Sequence, residues 1–269
     1  STYASQFDYI WKITKEDIIL HQLLSQTTDY EMPSDFQTWP AHGNTEDDYA
    51  ENLAPFIDVN NNDIYEPEAG DYPDIIVGCT GGGSNLSGLM FPFLGQQLRG
   101  GQKIDIIGCE PLSCPSFTKG KYAYDHGDMA RMTPLIKMHT LGSDFLPPAN
   151  HSGGLRYHGM SYHLSHLFEL GLMRAKAYGQ KECFEAGVIF GNQEGIIPAP
   201  EANHAVKGVM DAALDCKEKG ESKTILFNLC GHGHFDMTAY QAYFDNKLAD
   251  DVFEEENVNK ALANLPNVE

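Results

Sequence analysis

The feature that most constrains this chain is a glycine run set against the end of an apolar stretch. Ile75-Ile76-Val77-Gly78-Cys79 is followed by Thr80-Gly81-Gly82-Gly83-Ser84-Asn85. The apolar run has the length and β-branched character of a strand buried on both faces. Three consecutive glycines let the backbone curl tightly and turn its amides toward one point. Ser84 and Asn85 suit a helix N-cap, and Leu86, Leu89, Met90 and Phe93 can open a helix behind them. Amides converging at a helix N-terminus make an anion site suited to phosphate, and a purely structural turn is the other reading. No GxGxxG or GxxxxGK[ST] pattern is present, so the run is neither a common dinucleotide fingerprint nor a Walker loop.

From about residue 74 the pattern alternates between strands and helices. Ile104-Asp105-Ile106-Ile107-Gly108-Cys109 and Thr224-Ile225-Leu226-Phe227-Asn228-Leu229 read as further buried strands. One helix is expected over residues 180–194, stopped by Gly195. A second is expected from Pro200, at a first-turn position, to Lys219, stopped by Gly220. Ala202, Ala205, Val206, Val209, Met210, Ala213 and Cys216 give the second helix one apolar face. Strands separated by helices predict an α/β fold, a parallel sheet flanked by helices.

Residues 1–72 differ. They hold both tryptophans, Trp11 and Trp39, with many aromatic and acidic residues and little periodicity, so a short irregular N-terminal segment is expected. It ends in an oxygen-rich run in which Asp58, Asn60, Asn62 and the carbonyl of Ile64 copy the opening of a calcium loop. Asp63 stands where that loop has its turn glycine, and Ala69 where it has its bidentate glutamate. A weak calcium site and a polar turn both fit. Together with Trp39-Pro40-Ala41-His42-Gly43, this run resembles segments of large secreted surface proteins of bacteria.

The formal net charge of −20 excludes nucleic acid as a natural partner, because a phosphate backbone needs a basic footprint. Asp250, Asp251, Glu254, Glu255 and Glu256 read as a solvated tail. No apolar run approaches the roughly 18 residues of a membrane span, and no secretory leader is read at the start. The six cysteines are scattered without a CxxC pair, which points to reduced, mostly buried thiols in a cytoplasmic setting. Histidines 158, 163 and 166, and the pair His232 and His234, lack the carboxylate spacing of a convincing metal site.

Beyond these readings the glycine loop resembles a known family. Gly81-Gly82-Gly83-Ser84-Asn85 is similar to the cofactor-phosphate loop of the tryptophan synthase β family. Further stretches match the second, longer type of that subunit: Gly108-Cys109-Glu110-Pro111, Met132-Thr133-Pro134-Leu135-Ile136-Lys137-Met138 and Gly153-Gly154-Leu155-Arg156-Tyr157-His158-Gly159. Glu194-Gly195-Ile196-Ile197-Pro198-Ala199-Pro200-Glu201 and Asn228-Leu229-Cys230-Gly231-His232-Gly233-His234 follow. The resemblance runs from about 74 to 248. It implies that residues 73–269 are the C-terminal cofactor-binding part of a fold-type II pyridoxal-phosphate enzyme.

The implied roles are specific. Gly81, Gly82, Gly83, Ser84 and Asn85 would hold the cofactor phosphate. Glu194 would lie near the ring, and Cys230 would stand where the family places a serine against the pyridine nitrogen. A thiol is a weaker partner than a hydroxyl, so looser cofactor binding is expected. A monovalent cation, the substrates L-serine and indole, a homodimer and an α subunit are the family's further partners. The implied reaction is β-replacement giving L-tryptophan.

The family's Schiff-base lysine lies upstream in a His-Lys-x-Asn setting, which Lys12 and Lys15 do not match. Lys103, Lys119, Lys121 and Lys137 read as surface lysines. Two outcomes therefore stand open. One is a tryptophan synthase β-type lyase incomplete in this chain. The other is a catalytically dead chimera, with two unrelated segments joined near residue 72 and weak calcium binding at its N-terminus.

Overall fold

The computed structural model describes residues 72–250 and 252–268. The expected calcium ligands Asp58, Asn60, Asn62 and Ile64 lie outside the described residues. In chain order the described elements are β1 (Ile75–Cys79), α1 (Ser84–Leu98), β2 (Asp105–Pro111), α2 (Ser116–Lys119), β3 (Lys121–His126) and β4 (Leu135–Thr140). A 3-10 turn at Gly153–Leu155 precedes α3 (Tyr162–Glu169), β5 (Arg174–Tyr178), α4 (Gln180–Glu194) and α5 (Pro200–Lys219). They are followed by β6 (Ile225–Phe227), α6 (Met237–Phe244) and α7 (Glu255–Leu262).

The sheet order is β5-β2-β1-β6, with β3 and β4 forming a separate antiparallel ribbon. Strands β2 and β5 run parallel, from Ile107 opposite Arg174 to Pro111 opposite Tyr178. The class is α/β with a parallel sheet flanked by helices, as the alternation predicts. Every residue of β1 is buried, as are all of β2 but its first. That is why both read as unbroken apolar runs rather than alternating ones. The expected third strand is shorter, only Ile225–Phe227, because Asn228 and Leu229 leave the ladder to enter a loop. Strand β5, Arg-Ala-Lys-Ala-Tyr, gave no apolar signal; a forked Arg174–Asp105 pair (Nη2 to Oδ2 2.6 Å) ties its start to that of β2.

The chain divides into two compact units. The smaller comprises, of the described residues, 72–75, 88–104 and 222–226. Within it the Asp74 carboxylate accepts the Thr224 amide at 2.8 Å, and the Thr224 carbonyl accepts the Asp74 amide at 2.9 Å. The rings of Tyr72 and Phe93 meet edge to face at 5.4 Å.

The larger unit comprises 76–87, 105–221 and the chain from 227 onward. In it α4 and α5 occupy the spans expected, ending at Gly195 and Gly220 with φ of 71° and 67°. Both glycines sit in the left-handed region that closes a helix. The face of α5 is rotated from the expected one: Ala212 is buried and Ala213 exposed. The reason is close backbone packing. A Cβ on Gly208 would collide with the sulfur of Cys109 and lie 2.9 Å from Val77 Cγ1. The buried stripe therefore centres on Gly208, with Ala205 and Ala212 one turn to either side.

The acidic cluster is also more than a tail. Glu255 and Glu256 form the first turn of α7, where negative charge suits the helix dipole. Val258 and Ala261 of that helix are buried against Cys114, Leu141 and Phe145. No helix among the described residues is long and apolar enough to cross a membrane.

Candidate functional site

The glycine loop leaves the carboxyl end of β1 and feeds directly into α1, the edge of an open α/β sheet where ligands commonly bind. The helix starts at Ser84 itself, so Ser84 and Asn85 are first-turn residues rather than caps. Gly83 takes the preceding position with φ of 97°. Only glycine adopts that conformation without strain. Here a Cβ would also lie 2.6 Å from Leu164 Cδ1 and 2.8 Å from Met160 Sδ.

Gly81 is held as tightly. A Cβ there would stand 2.7 Å from the Leu155 Cα and 2.8 Å from the Gly154 oxygen, and Gly82 faces the Tyr157 ring. The Gly82 carbonyl accepts the Ser161 amide at 2.9 Å. Thus the Gly153-Gly154-Leu155-Arg156-Tyr157 segment packs on the loop and fixes its curl. Cys79, Leu155 and Ala205, with Phe227 beside them, form a small apolar core around the strand end.

The hydrogen-bond pattern of the loop is one-sided. Its carbonyls are used: Gly83 accepts both the amide and the hydroxyl of Ser87. Among the described residues, the amides of Gly81, Gly82 and Gly83 donate to no protein acceptor. Just before them the Thr80 hydroxyl is buried without a partner. Buried donors are ordinarily satisfied, and free amides beside a helix N-terminus are chemically suited to an anion. The residues present therefore fit a phosphate-bearing cofactor.

The loop after β6 closes on the same strand end. Asn228 Nδ2 donates to Asn85 Oδ1 at 3.0 Å, and the sulfurs of Cys230 and Cys79 are 3.4 Å apart. Residues 197–199 brace this loop: Ala199 donates to the Gly231 carbonyl at 2.9 Å and Gly233 to the Ile197 carbonyl at 2.7 Å. The hydrogen bond between the thiols, followed by burial, pushes Cys79 well above the ordinary thiol range. The same bond pulls Cys230 down. Cys230 is the exposed member of the pair.

Of the residues expected at the site, Gly81, Gly82 and Gly83 form the loop, Ser84 and Asn85 open α1, and Cys230 meets the same strand end through Cys79. Glu194 ends α4 and is exposed, and no hydrogen bond or ion pair ties it to the loop. The carboxylate that does meet these segments is Glu201, in the first turn of α5. Its Oε1 accepts the Gly154 amide at 2.8 Å, and its charge reaches both thiols. Glu201, Cys79 and Tyr157 were not assigned roles from sequence. Glu201 and Tyr157 stood inside recognised motifs, but spacing along the chain does not tell which motif residue turns inward.

The other expected features separate. Lys103, Lys119, Lys121 and Lys137 are exposed, as read. His158 is buried with Nε2 on the His126 carbonyl at 2.9 Å. The rings of His232 and His234 meet at a tilt of 47°, with centroids 4.6 Å apart. Among the described residues no three His, Cys, Asp or Glu side chains converge as metal ligands.

The profile of the family described as "Pyridoxal-phosphate dependent enzyme" matches residues 62–231, well over half of the chain. The chain belongs to this family. Its match opens inside the oxygen-rich run, ten residues before the boundary read from sequence.

Curated relatives narrow the likeness. "Tryptophan synthase beta chain 2" of Methanosarcina mazei is 55% identical over 178 residues, which are 66% of this chain and 40% of that protein. The protein of the same name from Aquifex aeolicus is 54% identical over 186 residues, 68% of this chain and 43% of the relative. "Tryptophan synthase beta chain" of Pyrococcus horikoshii is 49% identical over 194 residues, 72% of this chain and 42% of the relative. The chain thus spans about two fifths of the length of these relatives. A solved L-serine ammonia-lyase from Rhizomucor miehei overlays with a TM-score of 0.46 at 15% identity, over 65% of this chain and 50% of that one. That overlay is too loose to argue from. None of these comparisons supports the likeness of residues 1–72 to bacterial surface proteins.

Proposed function

We propose that this chain carries the cofactor-phosphate part of a pyridoxal-phosphate lyase of the tryptophan synthase β type, which joins L-serine and indole by β-replacement to give L-tryptophan. The observation that supports this reading is the one-sided hydrogen bonding of the glycine loop. Gly81, Gly82 and Gly83 present free amides in a backbone curl that Gly154, Leu155 and Tyr157 hold closed. Asn85, fixed by Asn228, adds a polar side chain at the helix start.

When bound, pyridoxal phosphate would act as an electron sink for bonds at the amino-acid α-carbon. The chain's own contribution is to place it. The cradle neutralises the phosphate with backbone dipoles at no cost in side-chain entropy. Cys230, a neutral thiol in the serine position of the family pattern, would face the pyridine nitrogen. A thiol hydrogen-bonds weakly, which leaves the ring less firmly held. Glu194 and Glu201 are the acidic residues of the adjoining segment. A monovalent cation held by backbone carbonyls, a homodimeric assembly, an α-subunit partner and a cytoplasmic location belong to the same reading.

Titrating the purified chain with pyridoxal phosphate, with inorganic phosphate as competitor, tests it. Saturable binding is expected, competed by phosphate and lost in Gly83→Val. Binding indifferent to phosphate would overturn the cradle assignment. Supplying L-serine and indole separates the two versions of the reading: tryptophan formation marks a working lyase. Cofactor binding without product marks a chain that keeps the cradle but lacks the residue that forms the covalent link.

A further inference from the structure

We propose that Cys79 and Cys230 form an oxidisable dithiol site that closes reversibly to a disulfide at the mouth of the glycine loop. The two residues are 151 positions apart in sequence, yet their sulfurs are 3.4 Å from one another. Cys79 is the last residue of β1, packed with Leu155 and Ala205. Cys230 is the third residue beyond β6, in a loop pinned at Gly231 and Gly233 by residues 197–199. A disulfide needs sulfurs brought to about 2.05 Å, and at 3.4 Å these two already touch. Of the other cysteines, Cys109, Cys114 and Cys183 are buried and Cys216 is half-buried.

The two thiols divide the chemistry. Cys230 is exposed and Cys79 buried, so Cys230 is the sulfur an oxidant reaches, and its thiolate is the reactive form. Toward a peroxide, the Cys230 sulfur attacks one oxygen, the O–O bond breaks, and Cys230 becomes a sulfenic acid as hydroxide leaves. The neighbouring Cys79 sulfur then attacks the Cys230 sulfur. The S–S bond forms, the S–O bond breaks, and the departing hydroxide takes the Cys79 proton to leave as water. Overall two thiols and one hydrogen peroxide give one disulfide and two waters, and a dithiol reductant reverses the step by exchange.

The site itself stands on the sulfur geometry alone. Its consequence rests on the proposed cofactor reading, in which Cys230 faces the pyridine nitrogen. A disulfide would remove the S–H from that position and tether the loop after β6 to the root of the glycine cradle. The natural input would be a peroxide, and the output a lowered affinity for the cofactor.

The test treats the full native chain with hydrogen peroxide, then unfolds it, alkylates free thiols and maps the peptides by mass spectrometry. Two of the six cysteines should resist alkylation, in one cross-linked species joining the Cys79 and Cys230 peptides. Dithiothreitol should restore all six. In Cys230→Ser, a change at an exposed position, no cross-link should form. The wild-type cross-link should be largely lost when peroxide is added to unfolded chain. Cys230 advancing to sulfinic acid while Cys79 stays alkylatable would overturn the proposal, as would pairing of other cysteines. Pyridoxal-phosphate titration of the two states addresses the consequence. Weaker binding in the oxidised form supports it, and equal binding despite a mapped cross-link overturns the placing of Cys230 at the ring. Failure of both states to bind would count against the cofactor reading and leave the mapped disulfide standing.

Discussion

The loops that follow β1 and β6 carry equally distinctive sequence, Gly81-Gly82-Gly83-Ser84-Asn85 and Cys230-Gly231-His232-Gly233-His234, yet they are built on different principles. The first is shaped by what cannot fit. Side chains at Gly81 and Gly83 would strike backbone or packed apolar atoms, and the amides point away from protein acceptors. The second is hung from a ladder to residues 197–199, with His232, His234 and Phe235 exposed, Phe235 at 91%. A loop defined by exclusion tolerates almost no change, whereas a loop hung from a ladder tolerates change wherever the ladder is not touched.

That contrast can be broken at its strongest point first. Gly83→Val combines left-handed backbone strain with overpacking against Leu164 and Met160. It should cost about 3 kcal/mol or more, read as a lowered midpoint in urea unfolding. A near-neutral outcome would show that the loop is not fixed by exclusion.

A change of similar size should come from pH, through a histidine buried on the helix that underlies the first loop. Burial depresses His204 of α5 to about 4, with Nδ1 on the Pro200 carbonyl. Its ordinary value is 6.5. The unfolded chain therefore binds more protons than the folded one between these values. The His204 contribution is full above about pH 6.5 and is lost progressively as pH falls to about 4, on the order of 3 kcal/mol in all. In His204→Gln that part of the pH dependence should disappear from the unfolding curves.

Within the second loop the two kinds of position should part by a smaller amount. Gly233 is buried in the ladder, and a Cβ there would lie 2.5 Å from the Pro198 oxygen and 2.9 Å from Ile197 Cγ2. Gly233→Ala should cost about 2 kcal/mol, and the nearby Phe235→Ser should stay within about 0.5 kcal/mol. Equal effects at both positions, in the same unfolding assay, would erase the distinction within this loop.

Much of this was legible in the chain. The spans of α4 and α5 follow from Pro200, Gly195 and Gly220, because caps act through local backbone chemistry. Strand β1 and the tight loop behind it follow from an unbroken apolar run meeting three glycines. Strand β5 was not legible, since Arg174 and Lys176 give it no apolar pattern and its pairing with β2 joins residues far apart in sequence. The burial of Ala212 in place of Ala213 was hidden for a related reason. Helical spacing defines a stripe to within one residue, and only the approach of Gly208 to Cys109 selects its centre.

The glycine loop marks the division between what sequence determines and what folding decides. The sequence by itself determined that residues 81–83 form a tight curl ahead of a helix, because glycine's freedom and N-terminal helix amides are local properties. It also carried the family, through ordered motifs. Only the tertiary structure decided that the cradle's amides stay free, that Glu201 is the carboxylate on Gly154, and that Cys79 meets Cys230. Those are contacts between segments distant in the chain. Their distances are set by the packing of the sheet and α5, which no local pattern encodes.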